Sequence, residues 1–101
     1  MVNITLVCAG GFSTSMLVTK MKEAAKAKNI EADIRAMAES AFEQFEGKTD
    51  VLLLGPQIGF LEDEFKSRYA DSNMKVAVIS MEDYGMMNGA NVIDSALELL
   101  K

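Results

Sequence analysis

The chain has no histidine and no tryptophan, and only one cysteine and one proline among its 101 residues. Without histidine, a Ser-His-Asp triad, a histidine general base and a histidine metal site are all excluded within the chain. A single cysteine also excludes a zinc site of the usual Cys/His kind. A lone cysteine forms no internal disulfide, which fits a reducing compartment. No apolar run reaches the roughly 20 residues that span a bilayer. The opening residues Met1-Val2-Asn3-Ile4 lack the basic segment of a secretory signal. Basic residues are outnumbered by acidic ones, ten to fifteen, for a net charge of −5. Non-specific nucleic-acid binding needs a basic surface and is disfavoured. Chemistry falls to Cys8, carboxylates, hydroxyls, backbone amides or a group brought by a partner, and nothing calls for a cofactor.

What is present alternates. Ile4 to Val7 is β-branched and apolar and predicts a strand. From Ser13 the period changes: Leu17, Met21 and Ala25 recur every four residues on one face of a helix, with Lys20, Lys22, Lys26 and Lys28 towards solvent. Asn29 is a C-terminal stop for that helix. Ile30 to Ala38 alternates as a half-buried or edge strand does. Ser40-Ala41-Phe42-Glu43 matches a capping box, predicting a short helix through Phe42 and Phe45 that Gly47 ends. Val51 to Leu54 is an unbroken apolar run, the habit of a parallel strand covered on both faces. Gly55-Pro56-Gln57 is a turn, followed by a helix with Leu61, Phe65 and Tyr69 on one face. Lys75 to Ser80 is a fourth strand, Met81 to Gly89 a loop, and Val92, Ile93, Ala96, Leu97 and Leu100 mark a helix running to the last residue. The order βαβαβαβα predicts an α/β fold in a single domain over residues 1–101, a four-stranded parallel sheet with helices on both faces. Functional loops then gather at the carboxyl ends of the strands, near Cys8 to Ser13, Gly55 to Gln57 and Ser80 to Gly85.

Cys8 closes the first strand, and the loop after it opens the first helix. Gly10 and Gly11 permit backbone angles that let a loop curl around an anion. Ser13, Thr14 and Ser15 can cap the helix or donate hydroxyl hydrogen bonds, and the amides at a helix N-terminus favour a thiolate and bind oxyanions. A thiolate beside such a cradle is a nucleophile for phosphoryl groups. The bland alternative is a small buried hydrophobe before a tight turn. The loop is neither G-x-x-x-x-G-K-[ST] nor C-x-x-C. Measured against the cysteine-phosphatase loop C-x5-R-[ST], Thr14 stands where the arginine belongs and Ser15 follows it. Arginine's fork grips phosphate and stabilises transition-state charge, so a loop without it holds a phosphoryl group rather than hydrolysing it quickly.

The segments ITLVCAGGFSTSMLVTKM, DVLLLGPQIGFL and VISMEDYGMMNG resemble the enzyme IIB component of the sugar phosphotransferase system, lactose/cellobiose (chitobiose) class. The resemblance covers essentially the whole chain, most specifically in C-x-x-G-x-S-T-S after the first strand and L-L-G-P-Q after the third. It implies a four-stranded parallel sheet. It also implies that Cys8 takes a phosphoryl group from a phosphohistidine on enzyme IIA and passes it to a sugar entering through the membrane permease, enzyme IIC. That sugar would be a β-linked disaccharide such as cellobiose, chitobiose or lactose. The protein would be cytoplasmic, docking at the inner membrane face, and free-standing rather than fused. The donor histidine would belong to the partner.

On this basis Cys8 is the nucleophile and carrier, and Ala9, Gly10, Gly11, Phe12, Ser13, Thr14 and Ser15 hold the phosphate. Gln57 either reaches the same pocket or is simple loop polarity. Tyr84 either faces the site or is a packing aromatic. Phe12, Met81, Met86 and Met87 either form an apolar docking patch or close over the core. Two other functions use the same cradle: a small cysteine-loop phosphatase or arsenate reductase, and a flavodoxin-like binding module. The missing arginine and the single cysteine weigh against the first, the scarcity of aromatics against the second. A regulatory phosphocysteine or redox-sensing module would share the thiolate without needing a permease.

Overall fold

The computed structural model describes residues 1–8, 12–45 and 47–100. Its strands are β1 (Val2–Cys8), β2 (Ala32–Ala38), β3 (Val51–Leu54) and β4 (Lys75–Val78). Its helices are α1 (Phe12–Ala27), α2 (Glu39–Glu43), α3 (Glu62–Arg68), α4 (Met81–Gly85) and α5 (Gly89–Leu99). All three strand pairings are parallel and the sheet order is β2-β1-β3-β4. The fold expected from the alternation is the fold observed.

Register sorts the core. Ile4 pairs with Ile34 on one side and with Val51 on the other, and Leu6 pairs with Leu53. Successive strand residues face opposite ways, so these side chains share one face. There they pack with Leu17, Met21 and Ala25 of α1 and with Val92, Ile93 and Ala96 of α5. Val7, Leu52, Leu54 and Val76 face the other way and meet Phe42 of α2, Phe65 of α3 and Ile58. Phe42 lies edge-on to Phe65 and to Tyr69, at ring-centroid distances of 6.3 and 5.6 Å, geometries that add to simple burial. The two helices on the first face approach closely where Gly89 begins α5. A Cβ there would lie 2.4 Å from the Lys20 carbonyl carbon, so no side chain fits.

The stop expected at Asn29 is present in full. Asn29 is left-handed, at φ 58°. Its N–H donates to Lys26 O, and the Ile30 N–H donates to Ala25 O at 2.9 Å. This is the paired closure that satisfies the last carbonyls of a helix.

Several boundaries differ from the sequence expectation. The capping box at Ser40 does not form: the N-cap of α2 is Ala38, without a side-chain hydrogen bond, and Ser40 is already helical. The cause is β2, which stays paired with β1 through Ala38 and passes into α2 without a loop. The helix ends at Glu43, before Phe45 and Gly47. Gly47 is instead covered by the Phe45 ring, 2.3 Å from where a Cβ would stand. The turn at Gly55 continues as a 3-10 helix over Pro56–Leu61. The fourth strand ends at Val78. The expected loop after it contains α4, whose N-cap is Ser80, with its hydroxyl accepting from the Asp83 N–H at 3.1 Å. The final helix ends at Leu99, short of the run to the last residue that was expected.

At the amino end of the sheet, Asp50 joins three strands. Its carboxylate accepts from the Asn3 backbone N–H at 2.8 Å and from the Asn3 side chain at 3.2 Å. Its own N–H donates to Asn3 O and its carbonyl accepts from the Lys75 N–H. The Asn3 backbone hydrogen bond holds the Asp50 carboxyl below the ordinary carboxylate range, partly opposed by burial and assisted by the Asn3 amide and the Lys48 charge. A depressed folded-state pKa gives stabilisation that is complete above the unfolded carboxyl's pKa, about 4, and is lost as pH falls through the lower folded value. Asp50→Asn is therefore expected to cost about 1 kcal/mol at pH 7. In urea unfolding the gap from wild type should close progressively below about pH 4; a gap that persists at acid pH would show that the charge contributes nothing.

Candidate functional site

The site grows from the path of the chain. After β1 the chain builds β2 on one side, then returns across to place β3 on the other. The connection after β1 turns towards β2 and the connection after β3 turns the other way, towards β4, and at the carboxyl ends of β1 and β3 this opens a crevice where open α/β sheets bind their ligands. Cys8, the last residue of β1, stands at that point.

Cys8 is 3% exposed, yet it lines a cavity of about 400 Å³ together with Ala38, Glu39, Ser40 and Glu43. The cavity follows from register: Cys8 pairs with Ala38, so the residues that open α2 stand beside the thiol. On the β3 side, Gly55 donates its N–H to Val7 O at 2.9 Å and carries the ladder one residue further. A Cβ on Gly55 would lie 3.2 Å from the Cys8 Cβ and 3.0 Å from Gln57 Oε1. Cys8 and the exposed Gln57 thus both approach Gly55, where a side chain would crowd them.

Of the expected phosphate-holding residues, Ala9, Gly10 and Gly11 lie outside the described residues, as do the side chains of Phe12, Ser13 and Thr14. The backbone of Phe12 to Ser15 forms the first turn of α1, and the opening N–H groups of an α-helix are the ones available to an anion. Ser15 is exposed on that turn. Tyr84 is half-buried on α4 and packs against the α1–α5 side of the core; it does not line the Cys8 cavity. Among the described residues no cluster of metal-ligating side chains occurs.

The apolar surface is larger than the sequence suggested. Met81 and Met86 of α4 are 79% and 74% exposed, and Phe60, after β3, is 80% exposed. Met16 of α1 is 57% exposed. All four stand on segments that leave the carboxyl ends of strands, the end that carries Cys8. Met87 is different: it is left-handed, at φ 52°, and packs against the core. Sequence reasoning missed Phe60 and Met16, because in a helical pattern an exposed apolar residue looks like a core one. It also missed the place of Glu39, Ser40 and Glu43 beside the thiol, because nothing local to them reveals the β1–β2 register.

Residues 3–95 match the family described as PTS system, Lactose/Cellobiose specific IIB subunit. The chain belongs to that family. It is 41% identical over 100 residues to the oligo-beta-mannoside-specific EIIB component of Bacillus subtilis, covering 99% of this chain and 97% of that protein. It is 38% identical over 102 residues to the galactose-specific EIIB component of Lactococcus lactis, covering 96% and 94%. The lactose-specific IIB domain of Streptococcus pneumoniae superposes with a TM-score of 0.87 over 99% of this chain and 98% of that one, at 18% identity, which speaks to the fold alone. No helix among the described residues is long and apolar enough to cross a membrane. Within this IIB family fold, the contact of Gly55 with Cys8 gives a direct test. Gly55→Ala is expected to lower stability by about 1–3 kcal/mol through overpacking and to slow iodoacetamide alkylation of Cys8 several-fold. An unchanged unfolding midpoint with an unchanged alkylation rate would show that the two residues do not press on each other.

Proposed function

We propose that the protein is a phosphoryl carrier of a sugar phosphotransferase system and that Cys8 is the carrier atom's residue. Enzyme IIA presents a phosphohistidine. The Cys8 sulfur attacks phosphorus, the N–P bond breaks, and the histidine nitrogen leaves. The acceptor sugar's hydroxyl oxygen then attacks the same phosphorus, the S–P bond breaks, and the Cys8 thiolate leaves as the hydroxyl proton is lost to a base on the permease side. The absence of histidine from this chain leaves the donor to IIA. The observation that carries this reading is the position of Cys8 at the carboxyl end of β1, shortly before α1, where it lines a cavity with the residues that open α2, in a member of the IIB family.

The amides of Ala9 to Ser15 hold the phosphoryl oxygens, with the Ser13, Thr14 and Ser15 hydroxyls as further donors, and Gln57 closes the β3 side. The sugar is a β-linked di- or oligosaccharide carried by enzyme IIC. Relatives named for oligo-beta-mannoside and for galactose are nearly equally similar to this chain, so the sugar is set largely by the permease. The protein works at the cytoplasmic face, where IIA and IIC use one docking surface in turn, formed by Met16, Phe60, Met81 and Met86 around the thiol. Such apolar anchors hold most of the energy of transient interfaces.

With phosphoenolpyruvate, enzyme I, HPr and an active IIA, mass spectrometry is expected to find one phosphoryl group, on Cys8. It should be absent in Cys8→Ser and discharged only by membranes carrying the permease and its sugar. No label with an active IIA would sink the carrier reading. In the same assay Met81→Ser with Met86→Ser is expected to raise the KM for IIA about tenfold without moving the thermal midpoint; an unchanged KM would place the docking surface elsewhere.

A further inference from the structure

The cavity beside Cys8 is lined by two acidic residues, whereas the cysteine-phosphatase loop supplies an arginine to the phosphate. The cavity's described lining is Cys8, Ala38, Glu39, Ser40 and Glu43, with no lysine or arginine. The two glutamates differ. Glu43 is paired with Arg68 at 2.9 Å, a cation it shares with Glu64 at 3.3 Å. Glu39 has no ion-pair partner among the described residues and is half-buried. It is the first residue of α2, one position past Ala38, the register partner of Cys8.

We propose that Glu39 is a positioning residue that keeps the Cys8 cavity repulsive to anions, so that a phosphoryl group on the sulfur is held by backbone amides but opposed by a fixed negative charge. The consequence for phosphate rests on the carrier reading above. A group with nearly two negative charges beside an uncompensated carboxylate in a partly enclosed cavity feels repulsion that water screens only in part. A cation there would stabilise the phosphocysteine and slow its discharge. Glu39 does the opposite: it keeps the S–P bond easy to transfer onwards. An acidic residue suits a carrier, which must give its group up to a sugar hydroxyl, as an arginine suits a hydrolase.

The test has one arm that does not involve phosphate. Cys8 is alkylated in parallel with iodoacetate, an anion, and iodoacetamide, its neutral analogue. The ratio of the two rates reads the potential at the sulfur, because both reagents consume the same thiolate. Glu39→Gln is expected to raise the iodoacetate-to-iodoacetamide ratio about three- to tenfold at low salt, and less in 1 M salt. Glu39→Asp, which restores the charge, should stay near wild type. In the second arm, the IIA–IIB phosphoryl equilibrium is expected to move towards phosphocysteine by a similar factor in Glu39→Gln. An unchanged ratio in Glu39→Gln, with wild-type Cys8 still accepting phosphate, would overturn the role of Glu39 and leave the carrier reading standing. A raised ratio in a protein whose Cys8 takes no phosphoryl group from IIA would support the repulsive cavity and overturn the carrier reading.

Discussion

The fold hangs on β1, which is hydrogen-bonded along both edges. Its parallel register with β2 aligns Val2 to Cys8 with Ala32 to Ala38, and its register with β3 aligns Ile4 to Val7 with Val51 to Leu54. A slip of one residue on either side would turn Ile4 and Leu6 away from α1 and α5 and expose what should be core. The same slip would separate Cys8 from Ala38 and Gly55. Stability and site therefore depend on one set of pairings. Buried polar groups support the same alignment. Thr5 is fully buried, bonded to the Thr49 hydroxyl at 2.9 Å and to Arg35 at 3.1 Å. Arg35 in turn pairs with Asp33 and lies over the Phe45 ring. Such a network is satisfied in one register only, and its cost elsewhere helps to exclude the others.

The chemistry suggested by the site follows from what stands near the sulfur. In the proposed reading, backbone amides at the start of α1 rather than side-chain cations hold the phosphoryl group, and backbone dipoles need no reorganisation to hold an oxyanion. Side-chain cations, which would make a bound phosphoryl group more stable, are missing from the described cavity. Exposed apolar side chains stand on several separate segments that leave the same end of the sheet. A carrier must meet a donor and an acceptor in succession, and neither contact can be so tight that it fails to release. A few large exposed side chains at the end of the sheet that carries the thiol fit both needs better than a fixed network of ion pairs.

Much of this was legible in the sequence. The alternation of apolar runs with helical periods announced the parallel sheet, because a strand covered on both faces must be apolar throughout and a helix covering it only along one stripe. Leu17, Met21 and Ala25 are buried as their spacing required, and Asn29 closes α1 as its tolerance for left-handed geometry suggested. The local signals that failed were those that tertiary pairing overrides. Ser40 had the right neighbours for a cap, but β2 runs on past the point where a cap would need the chain to turn. Ser80, expected to end the fourth strand, instead caps α4 by accepting from the Asp83 N–H.

The sequence by itself determined the order of elements, the two-faced core and the unique thiol at the end of the first strand, because each rests on periodicity or on a residue type that occurs once. Only the tertiary structure decided which residues share the thiol's surroundings. Glu39 and Gly55 are 31 and 47 positions from Cys8 along the chain, and they meet it because β2 and β3 flank β1. That neighbourhood is set by strand order and register, which are properties of the whole sheet's packing and leave no mark in the residues on either side of Glu39 or Gly55.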